Sequence, residues 1–135
     1  MMARYLALQQ QALAELGERR AALQADVLRE QQRVRQLREL LANLGVALDL
    51  RQGLVRDNYY QMQRNLQRLL TQQQDKALVA EQALAVATEA VREQLGRVKG
   101  LELLLRQREA AGVARQLRRE QQQLDEFNTV RYRRG

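Results

Sequence analysis

Apolar residues recur at alternating spacings of three and four from the start of the chain, and this heptad repeat most constrains the fold. With Leu6 as the first a position, residues 6–48 contain thirteen a and d positions, and ten of them are apolar. A repeat sustained over six heptads is typical of a coiled coil. It predicts one long helix that buries a narrow seam against a partner helix. The a positions are Leu6, Leu13, Arg20, Val27, Val34, Leu41 and Leu48, and the d positions are Gln9, Leu16, Leu23, Glu30, Leu37 and Leu44.

A second heptad repeat, later in the chain, supplies that partner. Its a positions are Leu70, Ala77, Leu84, Val91, Val98 and Leu105, and its d positions are Leu66, Gln73, Ala80, Ala87, Gln94 and Leu101. Alanine is frequent between Ala77 and Val91, which allows two helices to approach closely. Around Gly112 the apolar series changes phase to Ala110, Val113, Leu117, Leu124 and Phe127. Such a discontinuity alters a supercoil locally.

The stretch between the two repeats predicts a turn. Gly45 and Gly53 flank Asp49, and Asp57–Asn58 offers a cap for a new helix. Glycine inside a helix costs about 1 kcal/mol relative to alanine. We therefore predict an all-α fold, a long antiparallel two-helix coiled-coil hairpin with a C-terminal helical overhang. Residues 1–135 are expected to form a single domain, with helix one at about 3–50, a turn at about 51–57 and helix two at about 58–130.

Folding the chain near Gly53 sets an expected register and leaves the second helix longer than the first. The acidic d residue Glu30 falls opposite Lys76, either as a pair that fixes the register or with both charges reaching solvent. Residues 106–135 have no intramolecular partner, and as a helix they would project roughly 30 to 40 Å. Their apolar stripe of Val113, Leu117, Leu124 and Phe127 would be exposed, which usually marks a binding surface.

The composition excludes most enzymatic chemistry. The chain has no Cys, His or Ser, so it lacks a thiolate, an imidazole base, a serine nucleophile and a soft metal site. No glycine-rich phosphate loop is present. We expect no enzyme, cofactor or metal site. No apolar run is long enough to cross a bilayer, so the sequence predicts a cytoplasmic protein.

The most distinctive segment of the first half is Asn58-Tyr59-Tyr60-Gln61-Met62, followed by Leu66. Two tyrosines and a methionine at the end of a hairpin suit protein recognition. The alternative is that Tyr59, Met62 and Leu66 only complete the seam; this is favoured for Leu66, whereas recognition is favoured for Tyr60. The glutamine triplets at 9–11, 72–74 and 121–123 are interpreted as neutral helix surface.

The C-terminal region is basic, and the whole chain has a net charge of +7. Arg115, Arg118 and Arg119, with the closing arginines, could contact nucleic acid. Acidic residues are interspersed, however, and no dense basic helix precedes a zipper. We therefore expect an acidic protein partner and no nucleic acid.

The Asn-Tyr-x-Gln start of the second helix and the glutamine-rich tail ending in Leu124-Asp125-Glu126-Phe127 and a basic terminus resemble the FliJ family. These are stalk proteins of the flagellar type III export apparatus. The resemblance spans most of the chain and is clearest from Asn58 onward. Helix one matches only in its heptad character, and Met62 stands where family members can carry an aromatic residue.

The resemblance implies a cytoplasmic protein, peripheral at the inner-membrane export apparatus and monomeric. It would insert into the hexameric export ATPase ring, connect the ring to the cytoplasmic part of the export gate and engage export chaperones. Met62 and Leu66 would face the gate, and the tail with Asp125, Glu126 and Phe127 would face the ATPase and chaperones. The alternatives are a stalk of a virulence-type secretion system, or a homodimeric structural or chaperone coiled coil.

Overall fold

The computed structural model describes residues 1–46 and 51–134 and consists of two α-helices. Helix α1 spans Met2–Asn43 and helix α2 spans Gly53–Arg134. The helices pack against each other, and the described residues contain no β-strand. The predicted all-α helical hairpin is confirmed.

The two heptad repeats form the packed faces of the helices. Every described a and d position of the first repeat is buried or half-buried except Arg20, which is exposed. All twelve a and d positions of the second repeat are buried or half-buried. The most buried apolar side chains are Leu6, Val27, Val34, Ala77, Ala87 and Val98. The core is therefore the thin seam that the heptads predicted; Leu48 lies outside the described residues.

Helix α1 ends at Asn43, earlier than the predicted end near residue 50, because the chain turns at Gly45. Gly45 has φ +85°, a left-handed conformation that glycine adopts without steric cost. The Leu44 amide donates to the Leu41 carbonyl at 3.3 Å, and the Val46 amide donates to the Asn43 carbonyl at 3.4 Å. These i→i−3 bonds tighten the end of the helix, and a left-handed glycine just past it is a common way for a helix to end. The helix predicted over residues 44–46 is therefore wrong, and residues 47–50 lie outside the described part of the chain.

Helix α2 begins at Gly53, before the cap predicted at Asp57–Asn58. The Arg56 amide donates to the Gln52 carbonyl at 2.9 Å, so Gln52 accepts the first bond of the helix. Asp57 and Asn58 lie inside the helix. No proline interrupts the residues after Gly53, and the chain is helical as soon as the turn ends.

Contacts group the described residues into two units. Unit 1 comprises residues 1–13 and the described residues from 93 onward, and unit 2 comprises the described residues of 14–92. Each unit contains an antiparallel stretch of both helices. The single domain expected from the sequence stays a prediction.

In unit 2, Glu30 and Lys76 form no ion pair, so the first of the two arrangements expected for them is wrong. Its carboxylate pairs with Arg33 at 3.0 Å and accepts a hydrogen bond from Gln73 Nε2. Gln73 also donates to the Glu30 backbone carbonyl at 3.4 Å, and Gln31 donates to Glu81 at 2.9 Å. Gln73 lies in the seam, one helical turn before Lys76. Its side chain therefore contacts Glu30, whereas Lys76 is exposed. We call Glu30, Gln31, Gln73 and Glu81 the unit 2 clamp.

Unit 1 contains an equivalent set of contacts, the unit 1 clamp. Gln94 Nε2 donates to the side-chain oxygen of Gln9 at 2.7 Å and to its backbone carbonyl at 3.0 Å. Gln10 donates to Glu102 at 3.3 Å. Each member lies 21 residues, or three heptads, from its counterpart in unit 2. Two of the three glutamine triplets therefore join the helices, and their interpretation as neutral surface was wrong.

Candidate functional site

Tyr59 and Tyr60 lie at the hairpin end but have different environments. Tyr59 is half-buried and packs on the turn, where a Cβ at Gly45 would lie only 2.6 Å from Tyr59 Cε2. The Tyr60 side chain is 49% exposed. Its ring contacts the Tyr59 ring in an edge arrangement, with centroids 5.3 Å apart. Tyr59 thus closes the seam and supports Tyr60, which is free to meet a partner.

Met62 and Leu66 also differ. Leu66 is half-buried in the seam, whereas the Met62 side chain is 53% exposed. The seam instead runs through Gln63, which is half-buried, because positions 59, 63, 66 and 70 continue the heptad spacing. The interpretation of Met62 as a seam residue was therefore wrong. Tyr60 and Met62 are two residues apart, which places them on roughly opposite sides of α2.

Two further exposed apolar residues near the turn were missed by the sequence analysis. Val46 follows the glycine turn, and Leu54 is in the first turn of α2. Helix two was expected to begin near residue 58, so Leu54 had no predicted place on a helical surface. We call Val46, Leu54, Tyr60 and Met62 the hairpin-end surface. It presents apolar side chains on more than one side of the helix.

The second candidate surface is the tail, defined as residues 106–133 of α2. Every residue in this segment is exposed except Gly112, which is half-buried and carries no side chain. The Phe127 side chain, the largest of the apolar stripe, is 63% exposed. The other members of the stripe, Val113, Leu117 and Leu124, are exposed to a similar extent and share its face at spacings of four, seven and three.

The tail has a second, basic face. At about 100° per residue, Arg108, Arg115, Arg119 and Arg133 fall together on a side roughly opposite the apolar stripe. Residues 106–135 carry eight arginines and four carboxylates, so this segment holds +4 of the net charge of +7. Asp125 and Glu126 are exposed and form no ion pair with a described residue, whereas Arg106, the first residue of the tail, pairs with Glu102 at 3.9 Å.

The heptad phase of the seam does not continue into an apolar face in the tail. Beyond Leu105 the positions in phase with the seam are mostly polar, including Arg115, Arg119 and Gln122. The apolar stripe lies one or two residues past these positions, so it is rotated away from them by roughly 100° to 200°. The stripe is therefore a separate surface and not a longer version of the intramolecular seam.

No helix among the described residues is both long and apolar enough to cross a bilayer. Searches of protein-family models, of curated proteins and of solved structures found no match to this chain.

Proposed function

We propose that this chain is the stalk of a type III protein export apparatus, most closely of the flagellar kind. The observation that carries the proposal is the tail, a helical extension whose side chains are all exposed and which has an apolar and a basic face. Exposed apolar stripes such as that of Leu117, Leu124 and Phe127 usually mark a surface that binds another protein. The short motifs that resemble those of FliJ proteins support the export ATPase as the partner.

The two faces of the tail suit insertion into a hexameric ring. A ring surrounds a helix in its lumen, so both the stripe and the opposite arginines contact protein at once. Charged contacts act over about 8 Å at physiological salt and depend weakly on orientation. The arginines would therefore attract an acidic lumen, and the stripe would give a short-range contact on one side.

The hairpin-end surface is the proposed contact with the membrane export gate. Tyr60 and Met62 are exposed there, and Tyr59 and Leu66 hold them on the packed hairpin. Export chaperones would bind the tail near Asp125, Glu126 and Phe127. In this role the protein is cytoplasmic and only peripheral to the inner membrane.

The proposal is tested by ATP hydrolysis of the purified export ATPase with and without this chain. Wild-type chain should stimulate hydrolysis, and reversing Arg115, Arg118 and Arg119 to Glu should abolish most of the stimulation. Reversing Arg35, Arg38 and Arg68, exposed residues of the hairpin, changes the net charge equally and is the matched control. Equal loss with both triple variants would indicate a nonspecific charge effect, and no loss with either would contradict insertion of the tail.

A hairpin-end variant separates the two proposed contacts. Tyr60→Ser with Met62→Ser should leave ATPase stimulation unchanged and weaken binding to the purified cytoplasmic part of the gate. A stalk from a virulence-type system has the same architecture, so flagellar and virulence ATPases are both used as probes. Stimulation of the virulence ATPase alone would reassign the system.

A further inference from the structure

The net charge of the chain lies in two segments. Residues 106–135 carry +4, and residues 35–68, which include the hairpin-end surface, carry +3 from six arginines and three carboxylates. The other residues of the chain are neutral as a whole. The hairpin end is therefore basic in its own right. Its arginines are Arg35, Arg38, Arg51, Arg56, Arg64 and Arg68. Its carboxylates are Glu39, Asp49 and Asp57.

Three of these arginines lie near the start of α2 and are accessible. Arg56, Arg64 and Arg68 are exposed and form no ion pair with another described residue. Arg64 Nε donates to the Tyr60 carbonyl at 3.4 Å, which holds its side chain near Tyr60. Asp57 borders the same open depression as Tyr60 and Arg64. The first turns of α2 thus set three arginines against one carboxylate.

The apolar residues of the hairpin-end surface lie on different sides of the chain. At about 100° per residue, Leu54, Tyr60 and Met62 are roughly 80° to 160° apart around α2. Val46, in the turn, is 80% exposed, and Leu54 is 76% exposed. A groove on a partner protein covers one side of a helix, whereas a membrane interface surrounds the end of a hairpin. Nucleic acid has no apolar region for valine, leucine and methionine. The pattern therefore favours a membrane surface.

The tail is the other basic segment, and its apolar stripe suits a membrane less well. Glu120 is seven residues from both Val113 and Phe127, and Glu109 is eighteen residues, or five turns, from Phe127. Both carboxylates therefore lie among the apolar side chains of the stripe. They would have to enter an anionic interface with it, against the repulsion of the lipid phosphates.

We propose that the hairpin end binds the surface of an anionic lipid bilayer. Val46 and Leu54 enter the interface first. Tyr60 lies six residues further along α2 than Leu54, or roughly 9 Å, at the depth of the headgroups, where tyrosine is favoured. The three arginines of α2 contact lipid phosphates. Binding is reversible, because few apolar side chains enter. The inference goes beyond the proposed gate contact and does not depend on it, because lipid vesicles contain no export protein.

The first test measures binding of the full chain to vesicles by co-sedimentation at about 0.15 M salt. One set is phosphatidylcholine with about 30% phosphatidylglycerol, and the other is phosphatidylcholine alone. The chain should bind the anionic vesicles at least about tenfold more tightly. Equal binding to both sets, or binding to neither, would overturn the proposal. Binding to soluble polyglutamate as tight as to the anionic vesicles would assign the surface to an acidic protein and would also overturn it.

Tryptophan fluorescence locates the part of the chain that enters the interface. The chain has no tryptophan, so Tyr60→Trp and Phe127→Trp each give a single reporter, one at the hairpin end and one in the tail. With anionic vesicles, the emission of Tyr60→Trp should shift to shorter wavelength as the ring leaves water, and that of Phe127→Trp should stay. A shift in Phe127→Trp that equals or exceeds the shift in Tyr60→Trp would contradict binding by the hairpin end.

Neutralising arginines tests the electrostatic part of the contact. Replacing Arg56, Arg64 and Arg68 by Gln should lower the affinity for anionic vesicles at least about tenfold. Replacing Arg115, Arg118 and Arg119 by Gln removes the same charge from the tail and should lower it less than about threefold. Equal losses in the two triple variants would show a general effect of net charge and would sink the proposal.

Leu54 tests the apolar part of the contact. Leu54→Gln should lower the affinity for anionic vesicles about threefold or more, because its side chain enters the interface. Leu28→Gln, an equally exposed type of residue on α1 away from the turn, is the matched control and should bind as wild type does. Circular dichroism checks that both variants keep their helix content. Full binding by Leu54→Gln would reduce the contact to charge alone and refute insertion of the hairpin end.

Discussion

The two buried glutamines of α2 differ in the chemistry of what they bind, and this predicts different effects on stability. Gln73 donates to a carboxylate, and Gln94 donates to a neutral amide oxygen. A hydrogen bond to a charged group contributes about 1.5–3 kcal/mol, against about 0.5–1.5 kcal/mol for a neutral pair. Gln73→Ala should therefore lower the free energy of unfolding more than Gln94→Ala, as measured by urea denaturation.

Gln72→Ala is the matched control for both variants, because Gln72 is an exposed neighbour in the same triplet. It should change the free energy of unfolding by less than about 0.5 kcal/mol. If all three alanine variants had the same small effect, the two clamps would contribute nothing to stability.

Gly45 gives a second prediction at the level of one residue. Alanine there would have to adopt a left-handed conformation, and its Cβ would approach the Tyr59 ring to 2.6 Å. The conformational cost alone is about 1–2 kcal/mol. Gly45→Ala should therefore lower the unfolding temperature, whereas Gly53→Ala, whose added Cβ meets no atom within 4 Å, should leave it unchanged or raise it. A reversed order of the two variants would contradict the glycine turn.

At the level of the helix, the first part of α2 packs against α1 and the tail does not. Replacing one valine in each part compares their contributions to stability. Val98 is 4% exposed, whereas Val113 is 60% exposed. Val98→Ala leaves a gap in the seam and should cost about 1–2 kcal/mol in the free energy of unfolding. Val113→Ala, the same substitution on the same helix, should cost less than about 0.5 kcal/mol. Comparable losses would mean that the tail is covered when the protein is alone.

The packed elements were predictable because the heptad repeat is a direct consequence of helix geometry. A spacing of three and four residues selects one helical face, so the described a and d positions from Leu6 to Leu105 are buried or half-buried except Arg20. The exposed stripe of the tail followed from the same argument. These predictions needed only the period of the pattern and the difference in length between the two repeats.

The helix ends and individual contacts were less predictable, for physical reasons. Both Gly45 and Gly53 were candidates for the turn, and only the three-dimensional path shows that Gly45 has the positive φ. The Glu30–Lys76 pair was one of two expected arrangements, and it does not form because Gln73 contacts the same carboxylate from within the seam. The clamps could have been found from the 21-residue spacing of Gln73 and Gln94, which places two polar residues at equivalent seam positions.

At the level of the whole molecule, the net charge of +7 and the exposed apolar stripe have opposite effects on self-association. The stripe favours self-association, which would bury Leu117, Leu124 and Phe127 in a second copy. Dimerisation through the tail would also bring together two segments of charge +4 each, at a separation where salt screens the repulsion only in part. The balance between these two effects decides whether the stripe is available to a different partner.

We expect repulsion to prevail at about 0.15 M salt, because the stripe is narrow and interrupted by Glu120. Sedimentation equilibrium at micromolar concentration should therefore give a mass near the 15.7 kDa of one chain. A dimer that reverts to monomer in the variant Leu117→Gln with Leu124→Gln would show that a second copy covers the stripe. The tail would then be a dimerisation element, and a structural coiled coil would explain its exposed residues better than a stalk. A tail that is paired with a second copy could not enter the lumen of a ring as a single helix.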